Sequence, residues 1–101
     1  MNPTILNGRD FKTLLSGGLN NLKLNIETVN DLNVFPIPDG DTGDNMFSTM
    51  LGGVKAASDS EDLREIAAQV GRGMLLGARG NSGVILSQFF AGITHKLALL
   101  P

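Results

Sequence analysis

The sequence predicts an all-α fold built from four helical segments. Two observations carry this. Apolar residues recur at spacings of three and four in four separate stretches, which is the period of a helix face, and strict two-residue alternation, the mark of a half-buried strand, is rare. Between the stretches lie glycine-, proline- or acid-rich segments where a helical chain must turn.

The first segment covers residues 9–31, with apolar positions at Phe11, Leu14, Leu15, Leu19, Leu22, Ile26 and Val29. Asn7 is placed to cap it, and Asp10 sits at its positive end. Gly17 and Gly18 interrupt the pattern, so close packing or a kink is expected there. Two prolines, Pro36 and Pro38, then force an extended path, with Val34, Phe35 and Ile37 expected to anchor it on the core. A second helix starts at about Thr42 or Gly43 and carries Met46, Phe47, Met50, Leu51 and Val54, with Gly52 and Gly53 weakening its last turns. The third is entered through Ser58–Glu61 or Asp62–Glu65, both at capping-box spacing. It carries Leu63, Ile66, Ala67, Val70 and Leu75 and ends before Gly77. The fourth holds Val84, Ile85, Leu86, Phe89, Phe90, Ile93 and Leu97 and is apolar on most of its surface. Such a helix asks for neighbours on several sides, so either further chain or a homodimer is expected to supply them.

Composition bounds the function. With 101 residues the chain forms at most one domain, and 42% hydrophobic with 18% charged residues is globular. Ten acidic against eight basic side chains give a net charge of −2, no footprint for nucleic acid. There is no cysteine and a single histidine, His95, which removes disulfide, zinc-thiolate and multi-histidine chemistry. His95 is expected as a hydrogen-bonded core or boundary residue. Residues 1–8 show neither a basic nor an apolar leader pattern, and no run is long enough to span a bilayer, so the expected location is the cytoplasm.

Two constellations carry chemistry. Asp39-Gly40-Asp41-Thr42-Gly43-Asp44-Asn45 places two carboxylates one residue apart on a glycine-flanked turn that opens a helix. Such carboxylates suit Mg²⁺, and the helix start offers N–H groups to an anion. Read alone, the same residues also describe an acidic turn with Asp or Thr as the helix cap. The turn is not a calcium loop: counted from Asp39, the fifth, sixth and twelfth positions are Gly43, Asp44 and Met50. The second constellation, Gly77-Ala78-Arg79-Gly80-Asn81-Ser82-Gly83, also opens a helix. It lacks the Gly-Lys-Ser/Thr of a Walker loop, no strand precedes it, and Val84 stands where a nucleophile elbow needs glycine. Alone, it reads equally as a helix–helix turn capped by Ser82. Arg72 and Arg79 flank it, as phosphate ligands or as solvated surface arginines.

Taken together the motifs are more specific. Residues 32–46, Leu-Asn-Val-Phe-Pro-Ile-Pro-Asp-Gly-Asp-Thr-Gly-Asp-Asn-Met, resemble a signature of the nucleotide-binding domain shared by the dihydroxyacetone kinase L subunit and the fatty acid kinases. Residues 77–88 resemble its second signature, and the wording of both is nearer the fatty acid kinase branch. The resemblance covers the chain from Asn7 to about Ile93. It implies a barrel of antiparallel helices, of which this chain is about half, binding Mg-ATP at one end. It implies Asp39 and Asp41 as magnesium ligands, with Asn33 nearest to a third. Thr42, Gly43, Asn45 and Met46, with Gly80, Asn81, Ser82 and Gly83, would surround the nucleotide. The implied reaction moves the γ-phosphate to a fatty acid carboxylate presented by a separate carrier protein. Dihydroxyacetone phosphorylation is the alternative within the family, and a non-catalytic module acting by partner binding or self-association lies outside it. Asp44 departs from the pattern, because the fatty acid kinase branch usually has a small neutral residue there.

Overall fold

The computed structural model describes residues 5–34 and 40–100. It is all-α, with no strand among the described residues. Five helices follow in order: α1 Gly8–Leu24, α2 Ile26–Asp31, α3 Thr42–Ala56, α4 Leu63–Leu76 and α5 Gly80–Ala98. No described helix is long and apolar enough to cross a membrane.

Local chemistry explains most boundaries. Asn7 and Asp10 form a reciprocal capping box at the start of α1. The Asp62 carboxylate accepts from the Arg64 amide and starts α4, while Ser60 donates to the Glu65 carboxylate. Gly77 ends α4. The single first helix expected over residues 9–31 is instead two. The break falls at Asn25, whose side chain donates to the carbonyl of Asn21, four residues back. Gly17 and Gly18 lie inside α1 on an exposed face, and a Cβ at either would meet nothing within 4 Å. They therefore cause neither the break nor a close contact.

α3, α4 and α5 form the centre. α4 runs antiparallel to α3: Gly52 lies against Gly73 and Gly77, and Gly53 against Val70 and Met74. α5 runs parallel to α3, because Gly80 meets Asn45 and Gly83 meets Thr49. α1 begins beside the start of α4, where the Gly8 amide donates to the Glu61 carbonyl at 2.8 Å. It runs back along α3 and delivers α2 to the α3 N-terminus.

The core is Phe11, Leu15, Met50, Ala57, Ile66, Ala67, Val70 and Met74, half of it from α4. Full burial of an aliphatic side chain of this size contributes about 1.5–3 kcal/mol. Met74 replaces the expected Leu75, which is exposed. Val34 is also exposed rather than anchored, and Phe35 and Ile37 lie outside the described residues. On α5 the buried positions are Gly83, Ser87 and Thr94, whereas Val84, Ile85 and Phe89 point outward. Ser87 and Thr94 satisfy their hydroxyls on their own helix, donating to the carbonyls of Val84 and Phe90.

Glycine sets the helix spacing. A Cβ on Gly73 would stand 2.5 Å from the Gly52 carbonyl oxygen and 2.6 Å from the Ala56 Cβ. Gly52 and Gly53 thus serve packing, and α3 continues through them to Ala56. Gly73→Ala is expected to cost about 1–3 kcal/mol through overpacking. Gly17→Ala, on an open helix face, is expected to gain about 0.5–1 kcal/mol. Urea midpoints measured for both variants check this pair of opposite signs.

Candidate functional site

The two motifs meet at one end of the bundle, where α3 and α5 begin side by side. The joint is Thr49, fully buried within α3 and one turn beyond Asn45. Its hydroxyl donates to the Asn45 carbonyl at 2.8 Å and accepts from the Arg79 amide at 3.1 Å. One side chain therefore holds the turn before α5 onto α3. Gly80 has φ of 66°, a left-handed conformation that glycine takes without steric cost. It faces the Asn45 side-chain amide, so that a Cβ there would strike Asn45 Nδ2, and one at Gly83 would strike Thr49 Oγ1.

The two helix starts are finished differently. At α3 the residue in the cap position, Asp41, makes no side-chain capping bond. The cap comes from α2: Asn30 Oδ1 accepts from the amides of Gly43 at 2.7 Å and Asp44 at 3.3 Å. Gly43 is packed so closely on α2 that a Cβ would lie 2.5 Å from the Ile26 carbonyl oxygen. At α5, Arg79 occupies the cap position, no side chain caps the helix, and its first turn has no acidic residue. That end keeps unpaired N–H groups and the positive end of the helix dipole.

The sequence-predicted site residues distribute as follows. Thr42, Gly43, Asn45 and Met46 form the first turns of α3, and Gly80, Asn81, Ser82 and Gly83 those of α5. Ser82 is thus inside the first turn, not at the cap. The Asp41 amide donates to Asn33 Oδ1 at 3.3 Å, which brings these two expected metal ligands together. Asp39 lies outside the described residues. Among the described residues no three acidic, histidine or cysteine side chains converge on one point. Asp41 is exposed, with a carboxylate that does not cap its own helix, and a carboxylate is a hard oxygen donor of the kind Mg²⁺ takes. Asp44 is also exposed, and its carboxylate accepts from Asn30 Nδ2 at 2.9 Å.

Two residues were missed by sequence reasoning. Thr49 carried a faint signal, a threonine four residues after Asn45 on a helix. Asn30 carried none, since it lies 14 residues from Asp44 and meets it only through the fold. His95, expected in the core or at its boundary, is exposed. With Arg72 it borders a groove of about 680 Å³ between α4 and α5, walled by small residues such as Ala68, Gly71 and Ala91. Arg79 is exposed beside the paired helix starts.

Thr49→Val keeps the shape but leaves the Arg79 amide without its partner. A loss of about 1–3 kcal/mol in urea unfolding is expected, with Thr49→Ser retaining most of the stability.

Comparison with known proteins matches the DAK2 domain over residues 36–99, a span that includes both glycine-rich turns. Protein YloV of Bacillus subtilis (strain 168) is 45% identical over 94 residues, covering 91% of this chain and 17% of that protein. Uncharacterized proteins of Staphylococcus aureus strains USA300 and MRSA252 are each 46% identical over 94 residues, with the same coverage. The chain therefore spans about a sixth of the length of these relatives. With more than half of its residues matched by one family and both glycine-rich turns inside the match, the chain belongs to the DAK2 domain family.

Proposed function

We propose that this chain forms the Mg-ATP-binding part of a phosphotransferase, and that in the whole protein the γ-phosphate passes to a fatty acid carboxylate presented by a carrier protein. The observation that carries the nucleotide reading is the junction at Thr49. It places an exposed acidic turn beside an uncapped helix start, from motifs more than thirty residues apart in sequence. A polyphosphate needs this combination: oxygen ligands for its cation and N–H groups for its own oxygens. Membership of the DAK2 domain family supports it. The preference for a fatty acid over dihydroxyacetone rests on the wording of the two motifs.

Asp39, Asp41 and Asn33 would hold magnesium, which supplies charge neutralisation on the phosphates. Thr42, Gly43, Asn45 and Met46 would border the nucleotide from α3. Gly80, Asn81, Ser82 and Gly83 would border it from α5, where the backbone can approach closely. In the transfer, a carboxylate oxygen forms a bond to the γ-phosphorus as the bond to the bridging oxygen of ADP breaks. The carboxylate is already ionised near neutral pH, so no general base is required. The chain's contribution is positioning and electrostatic stabilisation, which dominate phosphoryl transfer. The chain would be part of a larger helical domain, with a cytoplasmic location.

A second reading, a module that binds a partner or a second copy, is favoured by α5. Its large side chains Ile85, Phe89 and Ile93 repeat every four residues on an exposed face.

Calorimetric titration with ATP tests the first reading. Binding that requires Mg²⁺ and weakens at least about tenfold in both Asp39→Ala and Asp41→Ala is expected, a charge-assisted contact being worth that much. Undiminished binding in both variants would sink it. Light scattering tests the second reading: dimers or larger species, with no effect of nucleotide on melting, would favour it over the first.

A further inference from the structure

Asp44 poses a physical problem for the proposed site. It lies in the first turn of α3, three residues after Asp41, and a free carboxylate there repels a polyphosphate. The fold deals with it through one side chain. Asn30, on α2, turns its carbonyl oxygen to the amides of Gly43 and Asp44 and its NH₂ to the Asp44 carboxylate at 2.9 Å. All three bonds lie on the α2 side of α3. The α5 side is taken by Asn45 and Thr49, which face Gly80, Gly83 and the Arg79 amide.

We infer that Asn30 is a positioning residue: it caps α3 and, through the same amide, ties the Asp44 carboxylate to α2 and away from the paired helix starts where the phosphates bind. The inference rests on the Mg-nucleotide reading of that site. An amide suits the position because it has both an acceptor and a donor. A carboxylate at position 30 keeps the two accepted N–H bonds but loses the donor, and it faces Asp44 with like charge. Capping and restraint of Asp44 can therefore be separated by a single substitution.

The test is a double-substitution cycle on Asn30→Asp and Asp44→Asn. Each variant is read in two ways: by urea midpoint without ligand, and by ATP affinity with Mg²⁺ under conditions where circular dichroism shows it folded. Asn30→Asp is expected to weaken ATP binding by about tenfold, the order for one uncompensated charge near a polyphosphate at surface dielectric. Asp44→Asn alone should bind within about twofold of the parent protein, because a carboxylate tied to α2 acts little on the phosphates, whereas simple addition of charge would have it bind about tenfold more tightly. The double variant restores a donor opposite an acceptor, with the roles exchanged, and should return affinity to within about twofold of the parent, a non-additivity marking direct contact. A residue that merely caps the helix would give additive effects on affinity, since the carboxylate introduced by Asn30→Asp accepts the same two amide bonds as the parent side chain and only its charge would be felt. Additive midpoints would overturn the Asn30–Asp44 contact. Coupled midpoints with unchanged ATP affinity in Asn30→Asp would overturn its positioning role. If the parent protein binds no Mg-ATP while the midpoints remain coupled, the nucleotide reading falls, and Asn30 is reduced to a helix cap.

Discussion

The close crossing of α3 and α4, backbone against backbone at Gly52 and Gly73, is the constraint on which the rest of the structure depends. No side chain separates the helices there, so their axes approach closely and α4 is held antiparallel to α3. The chain leaves α4 at Gly77, next to Gly52, and only a short turn remains before α5 begins. That turn carries the start of α5 to the start of α3. Glycines that look like weak points in a linear reading are what brings the two motifs together. Their cost in helix propensity, about 1 kcal/mol each, is offset by the contacts that close approach permits.

At the candidate site, hydrogen bonding finishes what packing begins. A helix start leaves N–H groups that need partners, and the two starts obtain them in opposite ways. Asn30 closes α3 from a neighbouring helix by accepting from the Gly43 and Asp44 amides. α5 has no side-chain cap and no acid in its first turn, and it retains the capacity to bind an anion. Thr49 links them through a buried hydroxyl that donates on one side and accepts on the other. Asymmetry between adjacent helix starts suits a ligand with two demands, a cation at one side and phosphate oxygens at the other.

α5 is apolar on both its inward and its outward faces, with Leu86, Phe90 and Leu97 packed against the core. Its inward face is partly built of Gly83, Ser87 and Thr94, small enough for α3 and α4 to sit close, while Ile85 and Phe89 face outward. In the relatives, this region is about a sixth of a much longer chain. An exposed apolar stripe beside the paired helix starts fits either reading of the function. It gives further helices a surface to cover, or a partner a surface to recognise.

The helical class was legible in the sequence because local period and local caps determine it. The Asn7–Asp10 box, Asp62 and Gly77 act within a few residues of themselves, and the boundaries they set are those observed. Both glycine-rich motifs were legible too, since a turn that opens a helix is a local event. The break at Asn25 was not, because the apolar period runs on through Ile26 and Val29 without interruption. Met74 rather than Leu75 continues the period of Ile66, Ala67 and Val70, so that choice was legible though the expectation missed it. The exposure of His95 was not legible, because it depends on the rotation of α5. By itself, then, the sequence determined that the chain is helical and which turns hold acid or bare backbone. Tertiary structure alone decided that these turns adjoin, that Thr49 joins them and that Asn30 takes hold of Asp44. Those contacts span 14 to 30 residues, and no local preference of the chain encodes a partner that distant.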